Sequence, residues 1–104
     1  MKKIVLIATL TAAEGKEHEL REGIVELINA ADEEPGCEIY SAHGSRDEPG
    51  VYRFFELYTD SDALKAHGRG ERMAAAMAGL NSLMAGPPEV LRLTPLAAKG
   101  LDLG

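Results

Sequence analysis

The sequence predicts an α+β domain with the ferredoxin-like order β-α-β-β-α-β around a four-stranded antiparallel sheet. Three observations carry that prediction. The hydrophobic pattern alternates between a strand period of two and a helical period of 3.6 along the chain. Two Glu-Pro-Gly triplets, 34–36 and 48–50, punctuate its middle, and proline followed by glycine at the centre of a turn is the type II signature. The length of 104 residues suits one domain, expected over 1–104 with a core at 3–96 and a weakly patterned tail at 97–104.

The first strand is read at 3–9, "KIVLIAT", where β-branched and apolar residues fall on both alternating faces. The preceding lysines and short apolar run resemble a leader, but the run is seven residues and no small-residue cleavage site precedes "AAEGKEHE". From about Ala13 the period changes, and Leu20, Ile24, Leu27, Ile28 and Ala31 share one helical face. Glu17 and Arg21 are spaced as an i,i+4 pair, and Pro35 should end this helix near "DEEPG". "CEIYSAHG" and "VYRFFELY" read as a hairpin across "SRDEPG". Thr59 with Asp62 matches a capping box, placing a helix start at about Asp60. Gly68 and Gly70 interrupt that helix, and Met73, Met77, Leu80 and Met84 mark a second segment. "GPP" closes it, and "EVLRLTPL" is a last strand whose Pro95 suits an edge or strand end. Strands one and three are apolar on both faces, so the face without helices requires a cover, which a homodimer would supply.

Seventeen acidic against eleven basic residues give a net charge of −6. With no offsetting Lys/Arg stripe, this disfavours nucleic acid. No stretch has the length of a membrane span. One cysteine, Cys37, excludes an internal disulfide and suits the cytoplasm.

The aromatic residues concentrate on the hairpin, and Phe54, Glu56 and Tyr58 share one face of the third strand. A carboxylate between rings needs a partner there, either structurally or as a tuned acid or base. His67, near the end of the short helix, suits a dipole partner or a base with a pKa near neutrality. His43 is expected in a turn or at the surface, and His18 in solvent. The three histidines lie far apart in sequence without metal-ligand spacing, so no metal is expected. No haem or flavin motif is present, and Cys37 has no neighbouring cation to activate it. The Met73–Met77–Met84 stripe reads as core, and flexible methionines also suit an adaptable pocket.

Four elements carry a resemblance: Pro35–Cys37 before strand two, Phe54–Tyr58 on strand three, Ala63–His67 at the helix end and Gly86–Pro88 before strand four. Together they resemble the antibiotic biosynthesis monooxygenase family, which includes small quinol monooxygenases, over residues 3 to about 96. The resemblance implies a dimeric α/β barrel with a pocket between sheet and helices. It also implies oxidation of an aromatic polyketide or quinol by molecular oxygen without a cofactor. Two departures stand out. Gly70-Glu71-Arg72-Met73 replaces a Ser-Pro-His-Phe-like run, and the absence of tryptophan argues against the haem-degrading branch.

The resulting expectation is a monooxygenase whose catalytic residues are His67 and Glu56, with Glu56 orienting the histidine or acting alone. Tyr40, Tyr52, Phe54, Tyr58, Arg72, Met73 and Met77 would bind a small aromatic substrate. The alternatives are an isomerase or other proton-transfer enzyme using the same pocket, and a non-catalytic dimeric module for a small ligand.

Overall fold

The computed structural model describes residues 2–104. Four strands, β1 (Ile4–Thr11), β2 (Cys37–Gly44), β3 (Val51–Tyr58) and β4 (Glu89–Leu93), form one sheet in the order β2-β3-β1-β4. Every neighbouring pair is antiparallel. The α-helices are α1 (Glu17–Ala30), α2 (Ser61–Ala66) and α3 (Glu71–Ala78), with 3-10 turns at Ala31–Glu33 and Asn81–Leu83. This is the ferredoxin-like α+β fold, its second helix divided at Gly68–Gly70.

Period-two alternation decides which side chains meet the helices. Leu6, Ala8 and Leu10 of β1 and Tyr52, Phe54, Glu56 and Tyr58 of β3 are buried on the helical side. Leu20, Ile24 and Leu27 of α1, with Met73 and Leu80, close over them. Burying a side chain such as Phe54 or Leu20 stabilises by roughly 1.5–3 kcal/mol. This stripe, rather than charge pairing, anchors α1. The anticipated Glu17–Arg21 pair is absent among the described residues; Lys16–Glu19 and His18–Glu22 form instead, all exposed and worth little.

The two Glu-Pro-Gly turns differ. Both carry an i→i+3 backbone bond, Cys37 N to Glu34 O at 3.0 Å and Val51 N to Glu48 O at 3.2 Å. Gly50 has φ +81 and completes a type II turn, whereas Gly36 lies outside the left-handed region, so the first turn is not type II. Gly36 serves close packing instead: a Cβ there would lie 2.5 Å from the Ala63 Cβ. The cap of α2 also departs from expectation. Asp60 accepts from Ala63 N at 2.8 Å, while the Thr59 hydroxyl donates to Glu38.

On the other face the apolar cover is partly internal. Val5 and Leu57 are already buried there, near the end where the tail returns and the Asp102 carbonyl accepts from Lys3 Nζ at 2.7 Å. Leu91 and Leu93 of β4 remain exposed, as does Leu96 beyond it. The exposed large apolar side chains of that face therefore gather on β4.

Candidate active site

Between the sheet and the helices lies a cavity of about 270 Å3. Leu6 and Ala8 of β1, Tyr40 of β2, Phe54 and Glu56 of β3 and Val90 of β4 form its floor. Leu27 of α1, Met77 of α3, Leu80 and Met84 enclose it, and His67 enters from the end of α2. The walls are mainly aliphatic and aromatic, the composition of a small-molecule pocket.

Glu56 reaches this cavity because the alternation of β3 points it inward with Phe54 and Tyr58. It is the one charged group in the buried core among the described residues. Tyr58 donates its hydroxyl to Glu56 Oε1 at 2.6 Å. Burial pushes the Glu56 carboxyl above its usual range; the Tyr58 bond and the nearby His67 oppose that push, and Glu34 adds to it. Burial likewise raises the Tyr40 and Tyr58 hydroxyls, with Glu56 adding to both, so each phenol remains a neutral donor.

His67 ends α2, and Gly68 follows at φ +83. The imidazole Nδ1 is 2.7 Å from Glu34 Oε1, and the other oxygen of Glu34 accepts from Gly68 N at 3.0 Å. His67 Nε2 lies 3.9 Å from Glu56 Oε1, beyond hydrogen-bond range. The Tyr40 and Tyr58 rings each sit 5.3 Å from the imidazole centroid. Both side chains of the Glu34–His67 pair are 12% exposed.

Glu34 arrives by a chain of local causes. Pro35 disfavours helical geometry at residue 34, so the 3-10 turn stops and the backbone opens to φ −117, ψ 86. Gly36 then packs on Ala63 of α2, and its carbonyl accepts from Thr59 N at 2.9 Å. The turn thus lies against α2 and delivers the Glu34 carboxylate to that helix's C-terminal end.

Of the sequence candidates, Glu56, His67, Tyr40, Phe54 and Met77 line the cavity, and Tyr58 stands behind Glu56. Tyr58 and three others do not line it. Tyr52 borders a separate recess beside α1 and Ser41–Gly44. Met73 is 1% exposed in the core, and Arg72 is exposed on the outer side of α3. The division of the second helix sets that rotation. Glu34 holds Nδ1 of His67, and Glu56 lies on the Nε2 side at 3.9 Å. Sequence reasoning missed Glu34 and Asn81, which borders the cavity. Glu34 stands in a triplet that occurs twice, and nothing local distinguishes the two.

Outside the cavity, His18 is solvated and paired with Glu22, and His43 contacts Ser41 at 2.9 Å at the surface. Cys37 is pushed up to about 12, chiefly by burial and next by Glu34, leaving an unreactive thiol. Among the described residues no group of three or more His, Cys, Asp or Glu is placed to hold a metal, and no helix is long and apolar enough to cross a membrane.

A half-buried carboxylate–imidazole pair beside an apolar cavity on this fold defines a small-molecule pocket of the ferredoxin-like α+β class. The sequence model of antibiotic biosynthesis monooxygenase matches residues 3–79, and the chain belongs to that family. The Gly86–Pro88 element falls beyond the matched segment. A Caulobacter crescentus structure, provisionally described as an antibiotic biosynthesis monooxygenase, is 35% identical over 92% of each chain, with TM-score 0.85. A Nitrosomonas europaea protein of unknown function is 30% identical, covering 100% of this chain and 98% of its own, with TM-score 0.83. A Pseudomonas aeruginosa structure is 28% identical over 93% of this chain and 97% of its own, with TM-score 0.84. A comparison with curated proteins gives no match.

Proposed function

We propose that this protein is a cofactor-independent monooxygenase acting on a phenolic, quinol or polyketide-type aromatic, with His67 as its base. The observation that carries this reading is the Glu34–His67 pair, 2.7 Å apart at Nδ1, beside an apolar cavity of aromatic size. A carboxylate at Nδ1 keeps the ring proton on that nitrogen and leaves the Nε2 lone pair free to accept a proton.

The chemistry asks little more of the protein. Nε2 accepts the substrate hydroxyl proton, and the resulting phenolate gives one electron to molecular oxygen. The radical pair joins at a ring carbon bearing hydrogen. The imidazolium returns its proton to the peroxide so formed, and breaking the O–O bond with loss of the ring hydrogen forms a quinone carbonyl and releases water. One oxygen atom enters the product and the other leaves as water, so the substrate supplies all the electrons. Glu34 and Glu56 face the imidazolium formed in the first step, and Tyr40 is a neutral donor for the substrate oxygen.

The reading extends to a homodimer covering the open sheet face around Leu91 and Leu93, and to a cytoplasmic setting in which the free Cys37 stays reduced. Oxygen uptake by metal-stripped protein against a panel of quinols, phenols and anthrone-like compounds tests it. Uptake is expected, falling by about 10²-fold or more in His67→Ala. Turnover without oxygen consumption would indicate proton-transfer chemistry, and unchanged uptake in His67→Ala would remove His67 from the mechanism.

A further inference from the structure

A second recess, of about 350 Å3, lies beside the cavity at the β1–β4 side of the sheet, with Leu93 at its edge, and shares no lining residue with the cavity. Ile4 and Arg92 line its sheet side, α2 contributes Ser61, Leu64 and Lys65, and Thr94 follows just beyond β4. The register makes the two spaces neighbours. Arg92 pairs with Leu6 and Val90 pairs with Ala8, so all four share one face. Leu6, Ala8 and Val90 line the cavity. Ile4 precedes Leu6 on that face by one strand repeat, a step of about 7 Å.

The two spaces differ in polarity. The cavity is mainly apolar, with His67, Glu56 and Asn81 as its polar lining, whereas Lys65, Arg92, Ser61 and Thr94 line the second recess. Neither Lys65 nor Arg92 has a carboxylate within 4.0 Å among the described residues. In a chain of net charge −6, Lys65 and Arg92 both line this recess without a protein counter-charge within 4.0 Å among the described residues. Leu6 stands between Arg92 and Glu56 in the sheet, which keeps the buried carboxyl from filling that role.

We infer that the second recess holds the carboxylate of an aromatic substrate whose ring occupies the cavity. This rests on reading the cavity as the substrate site and narrows the substrate class to hydroxyaryl carboxylates. Arg92 offers a planar fork of N–H donors and Lys65 a mobile point charge. The hydroxyl would then face His67 at the far end of the ring.

The test is anaerobic binding, so that turnover plays no part. 2-Naphthol and 6-hydroxy-2-naphthoate are titrated calorimetrically into the full chain. The carboxylate is expected to bind about tenfold more tightly than the naphthol. That preference is expected to vanish in Lys65→Met/Arg92→Met, which keeps the apolar stems, while naphthol affinity stays unchanged. Raising salt should weaken only the carboxylate. Equal affinities, a preference that survives the double substitution, or failure of 6-hydroxy-2-naphthoate to bind would each overturn the inference. Tight binding without oxygen uptake in air would instead sink the monooxygenase reading and leave this one standing.

Discussion

The chain makes the same Glu-Pro-Gly turn twice and uses it for different ends. At 48–50 the glutamate is 60% exposed and meets Arg53 at 3.3 Å, and Gly50 takes the positive φ that the turn type requires. At 34–36 the glutamate is enclosed with His67, and Gly36 is needed for its missing Cβ rather than for its φ. Identical residues with the same i→i+3 bond therefore yield a surface ion pair in one place and a half-buried acid–base contact in the other. What separates them is the neighbour: the backbone and Cβ of Ala63 in α2 lie against the first turn, and only the flexible Glu17 side chain against the second.

The widest separation between the turns is expected in activity. Glu34→Gln should lower kcat/KM in the oxygen-uptake assay by about 10–100-fold, because an amide cannot accept at both Nδ1 and the Gly68 amide. Glu48→Gln should leave it unchanged. Equal rates in the two variants would reduce Glu34 to a structural role.

That prediction also marks how far the sequence could be read. Strands β2 and β3 begin and end where their alternating runs meet turn residues, and Glu56 follows from the same alternation. Local pattern is enough there, because a strand's two faces are set by its own period. Glu34, Tyr52 and Arg72 were not legible in this way. The role of Glu34 depends on which element packs over its turn. Whether Tyr52 reaches the cavity depends on how far α1 extends along the sheet. The exposure of Arg72 depends on where α3 restarts after Gly70. Each is a tertiary choice among locally equivalent arrangements.

In stability the comparison sharpens through the glycines. Gly36→Ala places a methyl against Ala63 and should cost about 2–3 kcal/mol in urea unfolding, largely recovered by adding Ala63→Gly. Gly50→Ala should cost about 1 kcal/mol through its positive φ, with no rescue from Ala63→Gly. An equal loss at both sites, unaffected by residue 63, would contradict the packing role of Gly36.

The smallest difference is in pH dependence. The folded Glu56 carboxyl is held above its usual value of 4.5, chiefly by burial, with Glu34 contributing. The native state therefore keeps this proton more tightly than the unfolded chain. Its contribution to stability falls as pH rises from about that usual value through the raised one, then levels off. Urea midpoints across this range should show that decline, lost in Glu56→Gln, reduced in Glu34→Gln and unaltered in Glu48→Gln. An undiminished decline in Glu56→Gln would assign it to another group.

The two oxygens of Glu34 are committed to different tasks, one to a ring nitrogen and the other to the backbone amide that turns the chain after α2. For anyone redesigning this pocket, position 34 is consequently a poor site to randomise. Aspartate falls a methylene short, glutamine presents a donor where an acceptor is needed, and apolar residues leave the Gly68 amide without its partner. Selection for a new substrate would do better to vary Met77, Met84 and Val90. Those side chains shape the cavity without holding the chain's path.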